Sequence, residues 1–262
     1  MNYIEYLRMR RNLAWFTGVL GAGALIGMIS INLHASHLRM GHMSVGNGLD
    51  VSAIFGIALT ATLIFATIIG GTLSRENETP EMLRTKPFPR EWIAASVLLT
   101  GLAAILLAFA IASVLLFIVL LDVCAVAGFL PPPLTFGPQT AVIVALGLGV
   151  SFMWFALVQA VSANLRARGG ITIGISWAYF TILVGLSHAG FLPAAAHEVI
   201  MVLNILNPLA YMNSLTSHGD TLSAAVPNSI FALDPWQSAA IVWTLGVAAC
   251  AVATFNWKRL EF

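Results

Sequence analysis

The chain has 262 residues, of which 59% are hydrophobic and 9% charged, and its mean hydropathy is +0.90. Soluble domains carry about 25% charged residues, so the composition excludes an ordinary water-soluble domain and predicts an integral membrane protein. A net charge of +1, with no basic patch interleaved with aromatics, excludes nucleic-acid binding.

A bilayer core of about 30 Å needs about 20 apolar residues as a helix, because backbone groups cannot be left unpaired in lipid. The first such stretch is residues 13–33. Arg8, Arg10 and Arg11 precede it as they would a secretory signal, but the run is too long for a signal core and no small-x-small cleavage site follows, so a retained span is expected. Its glycines at 18, 21, 23 and 27 include the pair in "GALIG", a spacing that lets helices approach closely, within the chain or across a dimer. Next comes "HASHLRMGHM", in which His34, His37 and His42 stand beside Met40 and Met43. Imidazole and thioether ligands would suit copper or another soft metal. No carboxylate or cysteine completes a site, and a polar loop at the membrane surface is the simpler expectation.

The second span is 51–73, and a charged segment follows it. The third, 93–121, contains no charge and at 1.5 Å per residue would reach about 44 Å, so it must tilt, kink or project; Asp122 stands at its end. The fourth and fifth spans are 141–163 and 171–189. Ser187 and His188 are sequence neighbours whose side chains diverge on a helix, so they make no nucleophile–base pair. The stretch "FLPAAAHEVIMVLNILNPLAYM" is too apolar for an aqueous loop yet holds Pro193 and Pro208, which predicts re-entrant or interfacial helices. Its "HEVIM" approaches the H-E-x-x-H zinc helix, but Met201 stands where the second histidine ligand belongs. The sixth span is 237–257. Cys124 and Cys250 have no C-x-x-C spacing and are expected to be packing residues. The expectation is one all-α transmembrane domain covering 1–262, with six helices.

Of the twelve Lys and Arg residues, Arg39 alone falls on one side of this topology. Arg8, Arg10, Arg11, Arg75, Arg84, Lys86, Arg90, Arg166, Arg168, Lys258 and Arg259 all fall on the other. Positive charge marks the cytoplasmic side, so both termini are expected in the cytoplasm and the protein in the cell inner or plasma membrane. The span interiors hold no Asp, Glu, Lys or Arg, which argues against an ion-coupled transporter. They offer neutral groups instead: Thr60, Thr62, Thr67, Thr100, Ser151, Gln159, Asn164, Ser176, Tyr179 and Thr181. No G-x-x-x-x-G-K-[ST] occurs, so the chain has no P-loop for ATP and no enzyme motif of its own.

The charged segment reads Glu76-Asn77-Glu78-Thr79-Pro80-Glu81-Met82-Leu83-Arg84-Thr85-Lys86-Pro87-Phe88-Pro89-Arg90. It resembles the E-x-G-T-x-E-x-L-x-x-x-P-x-x-R pattern between spans two and three of ABC-2 type permeases, the membrane subunits of ATP-driven exporters. The match lies at Glu76, Thr79, Glu81, Leu83, Pro87 and Arg90; Glu78 stands at the family's glycine and Pro80 at a common leucine. "NYIEYLRMRRN" is similar to the family's amphipathic elbow helix over residues 1–12, with Ile4 and Leu7 towards lipid and Arg8 and Arg11 near headgroups. "NILNPLAYM" resembles its N/S-P-x-x-Y element, and "FNWKRLEF" its basic tail.

The resemblance implies that Glu76, Glu78, Thr79, Glu81, Leu83, Pro87 and Arg90 belong to a coupling helix docking on a separate ATP-binding subunit. It implies ATP and Mg on that partner, a second permease copy or homologue, and export or flipping of an amphipathic or hydrophobic substrate. The segment's own chemistry suits a short helix. Pro80 fits a first turn, Glu76, Glu78 and Glu81 favour its N-terminal end, Arg84 and Lys86 its C-terminal end, and Pro87 and Pro89 stop it. A metal-dependent membrane enzyme or metal-handling protein using His34, His37 and His42, and a non-transporting scaffold, are the two other functions the residues leave open.

Overall fold

The computed structural model describes residues 3–33, 51–73, 90–128, 137–165, 169–187, 193–211 and 235–259, and every regular element among them is helical. In chain order these are α1 (Tyr3–Leu33), α2 (Val51–Leu73), α3 (Arg90–Ala127), α4 (Pro138–Leu165), α5 (Gly169–Ser187), α6 (Ala194–Ile205), a 3-10 turn at Pro208–Tyr211, and α7 (Pro235–Arg259). Among the described residues, five helices are long and apolar enough to cross a membrane: Tyr6–Leu33, Ile54–Gly71, Ala94–Val126, Thr140–Val161 and Trp236–Asn256. The expected fifth span appears as α5, whose apolar stretch Ile173–Leu186 is shorter.

Two elements differ from expectation. Elbow and first span form one unbroken helix, α1, because residues 3–17 contain neither Pro nor Gly and nothing interrupts the hydrogen-bond ladder. The third helix runs for 38 residues, about 57 Å at 1.5 Å per residue. It ends where Gly128 turns left-handed at φ 76°, a conformation that only glycine adopts freely at a helix end.

Helix α4 is the hub. Every residue from Ser151 to Ala156 is buried, so over this stretch the helix is enclosed by protein on all faces while the outer helices present apolar side chains outwards. On α1, Trp15 is 71% exposed and Leu33 75%. Such exposure is costly in water and neutral against lipid tails.

The hub meets its neighbours by fitting large side chains onto glycines. A Cβ at Gly149 of α4 would lie 2.9 Å from Trp243 Nε1 of α7, and one at Gly246 of α7 would lie 2.7 Å from Phe152 of α4. The two rings stack with centroids 5.3 Å apart, and Trp243 Nε1 donates to the Ala145 carbonyl at 2.9 Å. The contacts advance together along both helices, reaching Asn256, whose amide lies 3.4 Å from the Ala160 carbonyl, so α4 and α7 run in the same direction. On another face Trp154 packs on Trp177 and Phe180 of α5, with centroids 4.8 and 5.0 Å away. Such pairs contribute about 0.5–1.5 kcal/mol each beyond their area.

Buried hydroxyls on α2 are satisfied locally. Thr60, Thr62 and Thr67 donate to the carbonyls of Gly56, Ala58 and Leu63, one turn back. Their presence in the interior therefore needs no ligand.

Candidate functional site

The helices expected to flank the charged segment end together. Ile69, near the end of α2, Val97, near the start of α3, and Met9 of α1 belong to one buried cluster with Phe65, Ala104 and Phe155. The last four carbonyls of a helix have no partner within it, and Gly70 carries one of them. Gln159 of α4, 1% exposed, donates its amide to that carbonyl at 3.0 Å. A Cβ at Gly70 would lie 3.0 Å from Val158, so α2 and α4 touch almost backbone to side chain where the cap forms. The end of α2 is thereby fixed to the hub immediately before the segment begins.

All the described Lys and Arg residues, namely Arg8, Arg10, Arg11, Arg90, Lys258 and Arg259, lie on helix ends at this pole. The opposite pole is marked by the cluster of Ile54, Leu120 and Cys124. It is also marked by Asn32, whose amide donates to Asp122 at 3.1 Å. The described helices thus separate positive charge to one end of the bundle, as the count along the sequence requires.

Arg90 is the first residue of α3; Glu76, Glu78, Thr79, Glu81, Leu83 and Pro87 lie outside the described residues, as do His34, His37 and His42. Positions 4, 7, 8 and 11 all fall on α1 and share one stripe by their i, i+3, i+4, i+7 spacing. Leu7 and Arg11 are exposed, Arg8 is half-buried, and Met9 supplies the buried face. The helix therefore does not place Leu7 and the arginines on separate faces; headgroup contact would come from the long arginine side chains reaching along the helix. His197 and Met201 both lie on α6. Among the described residues no group of three or more His, Cys, Asp or Glu could hold a metal.

The stretch expected to be re-entrant is α6 and the following turn, folded back on α5. Asn207, fully buried, donates to the Phe180 carbonyl at 3.0 Å and to Asn204 Oδ1 at 3.0 Å. Asn204 in turn reaches towards the Leu183 carbonyl at 3.5 Å. Tyr211 is fully buried, and its hydroxyl donates to the Ile205 carbonyl at 3.0 Å. The two asparagines and the tyrosine are visible in "NILNPLAYM", but apart from the bond between the asparagines their partners are backbone carbonyls, which leave no mark in a sequence.

Compared with models of known protein families and with curated proteins, the sequence gives no match.

Proposed function

We propose that this chain is the permease subunit of an ABC-2 type transporter, forming with a second copy or a homologue the path for ATP-driven export or flipping of an amphipathic or hydrophobic substrate. ATP and Mg bind a separate subunit. That subunit docks on the segment containing Glu76, Glu78, Thr79, Glu81, Leu83, Pro87 and Arg90, at the cytoplasmic face of the cell inner or plasma membrane. The observation that supports this most is the clustering of helix ends at the basic pole. The flanks of the segment, α2 and α3, pack there on each other and on α1, and α2 is capped by the buried hub helix through Gln159. A push on the segment would therefore reach the spans directly.

Purification from native membranes tests the proposal. The expected result is a co-purifying P-loop ATPase whose turnover falls by about tenfold or more in Glu76→Ala or Arg90→Ala, as expected when one charge of a desolvated interfacial pair is removed. Purified chain that associates with no ATPase, or variants that leave turnover unchanged, would overturn it.

A further inference from the structure

The four glycines of α1 pose a question that the fold alone leaves open. Each glycine in a helix interior costs about 0.5–1 kcal/mol relative to alanine, usually offset by a close approach. Yet a Cβ at Gly18, Gly21, Gly23 or Gly27 would meet nothing within 4 Å among the described residues. Two of them, Gly23 and Gly27, form one wall of an apolar groove of about 440 Å³ between α1, α2 and α3. Ala112, 1% exposed, lies at its floor, while Val19 and Ile57 at its rims are 66% and 58% exposed, so the groove opens sideways from the bundle.

The groove's volume bounds the size of its occupant. It lies within the roughly 300–1,000 Å³ of small-molecule sites and suits a single flexible hydrocarbon chain. Tail contacts alone would not hold one lipid over another, because bulk lipid is equally apolar. Selection must come from a polar group, and one stands at the groove's end.

On α3 the lining position Val119 is followed one turn later by Asp122, on the same stripe by i+3 spacing. Asn32 of α1 bridges to it across the groove's end at 3.1 Å. A carboxylate offers about four lone-pair sites. Among the described residues, this amide is its only donor and every Lys and Arg lies at the other pole. A carboxylate near the end of the apolar span Ala94–Val126 with no described cation beside it is complementary to an ammonium headgroup.

We infer that this groove binds a lipid from the leaflet on the Asp122 side, its acyl chain lying along Gly23 and Gly27 and its amine-bearing headgroup meeting Asp122. The site requires only that the helices cross a bilayer. It stands or falls separately from the transporter proposal.

The test reconstitutes the full chain in vesicles containing phosphatidylethanolamine or phosphatidylglycerol with a photoreactive group in the acyl chain, and maps the labelled peptides. Labelling is expected in 19–27 and 112–119, with phosphatidylethanolamine favoured by about fivefold, as for a partly screened ion pair. Gly23→Leu with Gly27→Leu, at positions where an added Cβ meets nothing within 4 Å among the described residues, fills the groove and should reduce that labelling at least fivefold, whereas Gly21→Leu, off the groove, should not. Asp122→Asn should keep the label but remove the headgroup preference. Label spread evenly over exposed faces such as that of α7, label indifferent to filling, or equal labelling by the two lipids would each overturn the inference. A disulfide forming between two copies carrying Gly27→Cys would also overturn it, placing a second chain there instead.

Discussion

Gly101 on α3 is the position where one methyl group should matter most. On an open helix, Gly→Ala stabilises by up to about 1 kcal/mol. Here the added Cβ would stand 2.5 and 2.7 Å from Phe155 Cε1 and Cε2, with Cζ closer still. Phe155 is fully buried on the hub helix among Phe65, Ile105 and Ala108, so the ring has no free space to enter. Overpacking of this kind costs about 1–3 kcal/mol, and a rigid ring belongs at the upper end. After the propensity gain is offset, Gly101→Ala should destabilise the protein by about 1–2 kcal/mol, roughly a 5- to 30-fold shift in the unfolding equilibrium. Gly147 supplies the comparison: its added Cβ would meet Leu59 at Cδ1, 2.5 Å, and at Cδ2 and Cγ, 2.8 Å, a side chain that is itself 1% exposed. Leu59 can yield by bond rotation more than a ring can, so Gly147→Ala should cost less than Gly101→Ala, at about 1 kcal/mol. Gly21→Ala, with open space around it, should be neutral or stabilising by up to about 1 kcal/mol. Reversible unfolding in mixed micelles with increasing dodecyl sulfate gives the three values on one scale. Phe155→Leu combined with Gly101→Ala should be less damaging than the two changes summed, because the smaller side chain relieves the clash. Gly101→Ala as stable as Gly21→Ala would refute the reasoning, since the α3–α4 approach would then be looser than described.

Gln159→Leu removes the amide that caps the Gly70 carbonyl, bonded at 3.0 Å. A buried carbonyl left unpaired costs about 1–3 kcal/mol, while interhelical bonds in membranes average nearer about 0.6, so about 1 kcal/mol is expected in the same unfolding assay; a gain in stability would contradict the capping role. Asn207→Leu breaks two 3.0 Å bonds that hold the Pro208–Tyr211 turn to α5. It should speed hydrogen exchange across Ala194–Tyr211 by about tenfold or more, with α2 and α4 unchanged. Trp243→Phe loses the 2.9 Å bond to the Ala145 carbonyl but keeps a ring for Phe152, so its cost should stay near about 1 kcal/mol; a much larger loss would mean that the bond, not the stacking, holds α7.

How much of this was legible in the sequence depends on what the chain writes down. Apolar length specified the helices: the stretch expected at 141–163 is α4, Pro138–Leu165, and that expected at 237–257 is α7, Pro235–Arg259. Charge placement foretold the pole at which Arg8, Arg90 and Lys258 gather. Neither could single out α4 as the hub, because a span facing protein and a span facing lipid are equally apolar. Contacts through glycine are similarly hidden. "GALIG" advertised a close approach and makes none among the described residues, whereas Gly101, with no motif around it, receives Phe155. Gln159 was recognisable as a polar group in an apolar span, but its partner is a backbone carbonyl 89 residues away in sequence.

These contacts also bear on how force from a docked ATPase would spread, on the proposed role. Leu59 over Gly147, Val158 over Gly70 and Phe155 over Gly101 press α2 and α3 onto α4, and the reciprocal Trp243 and Phe152 contacts extend the interlock to α7. Close-packed interfaces of this kind resist small continuous deformation. Four helices should thus move as one body when the segment between α2 and α3 is displaced. The boundary able to give lies elsewhere. Helix α1 belongs with this body, since Met9 and Phe16 pack in the buried cluster with Phe65 and Val97 and Asn32 bridges to Asp122. Helix α5 meets the hub through the tilted rings of Trp177 and Phe180 on Trp154, with α6 and its turn tied to α5 by asparagine amides. On this reasoning a substrate path should lie along that boundary, since none of the glycine-locked seams could open without giving up its interlocking side chains.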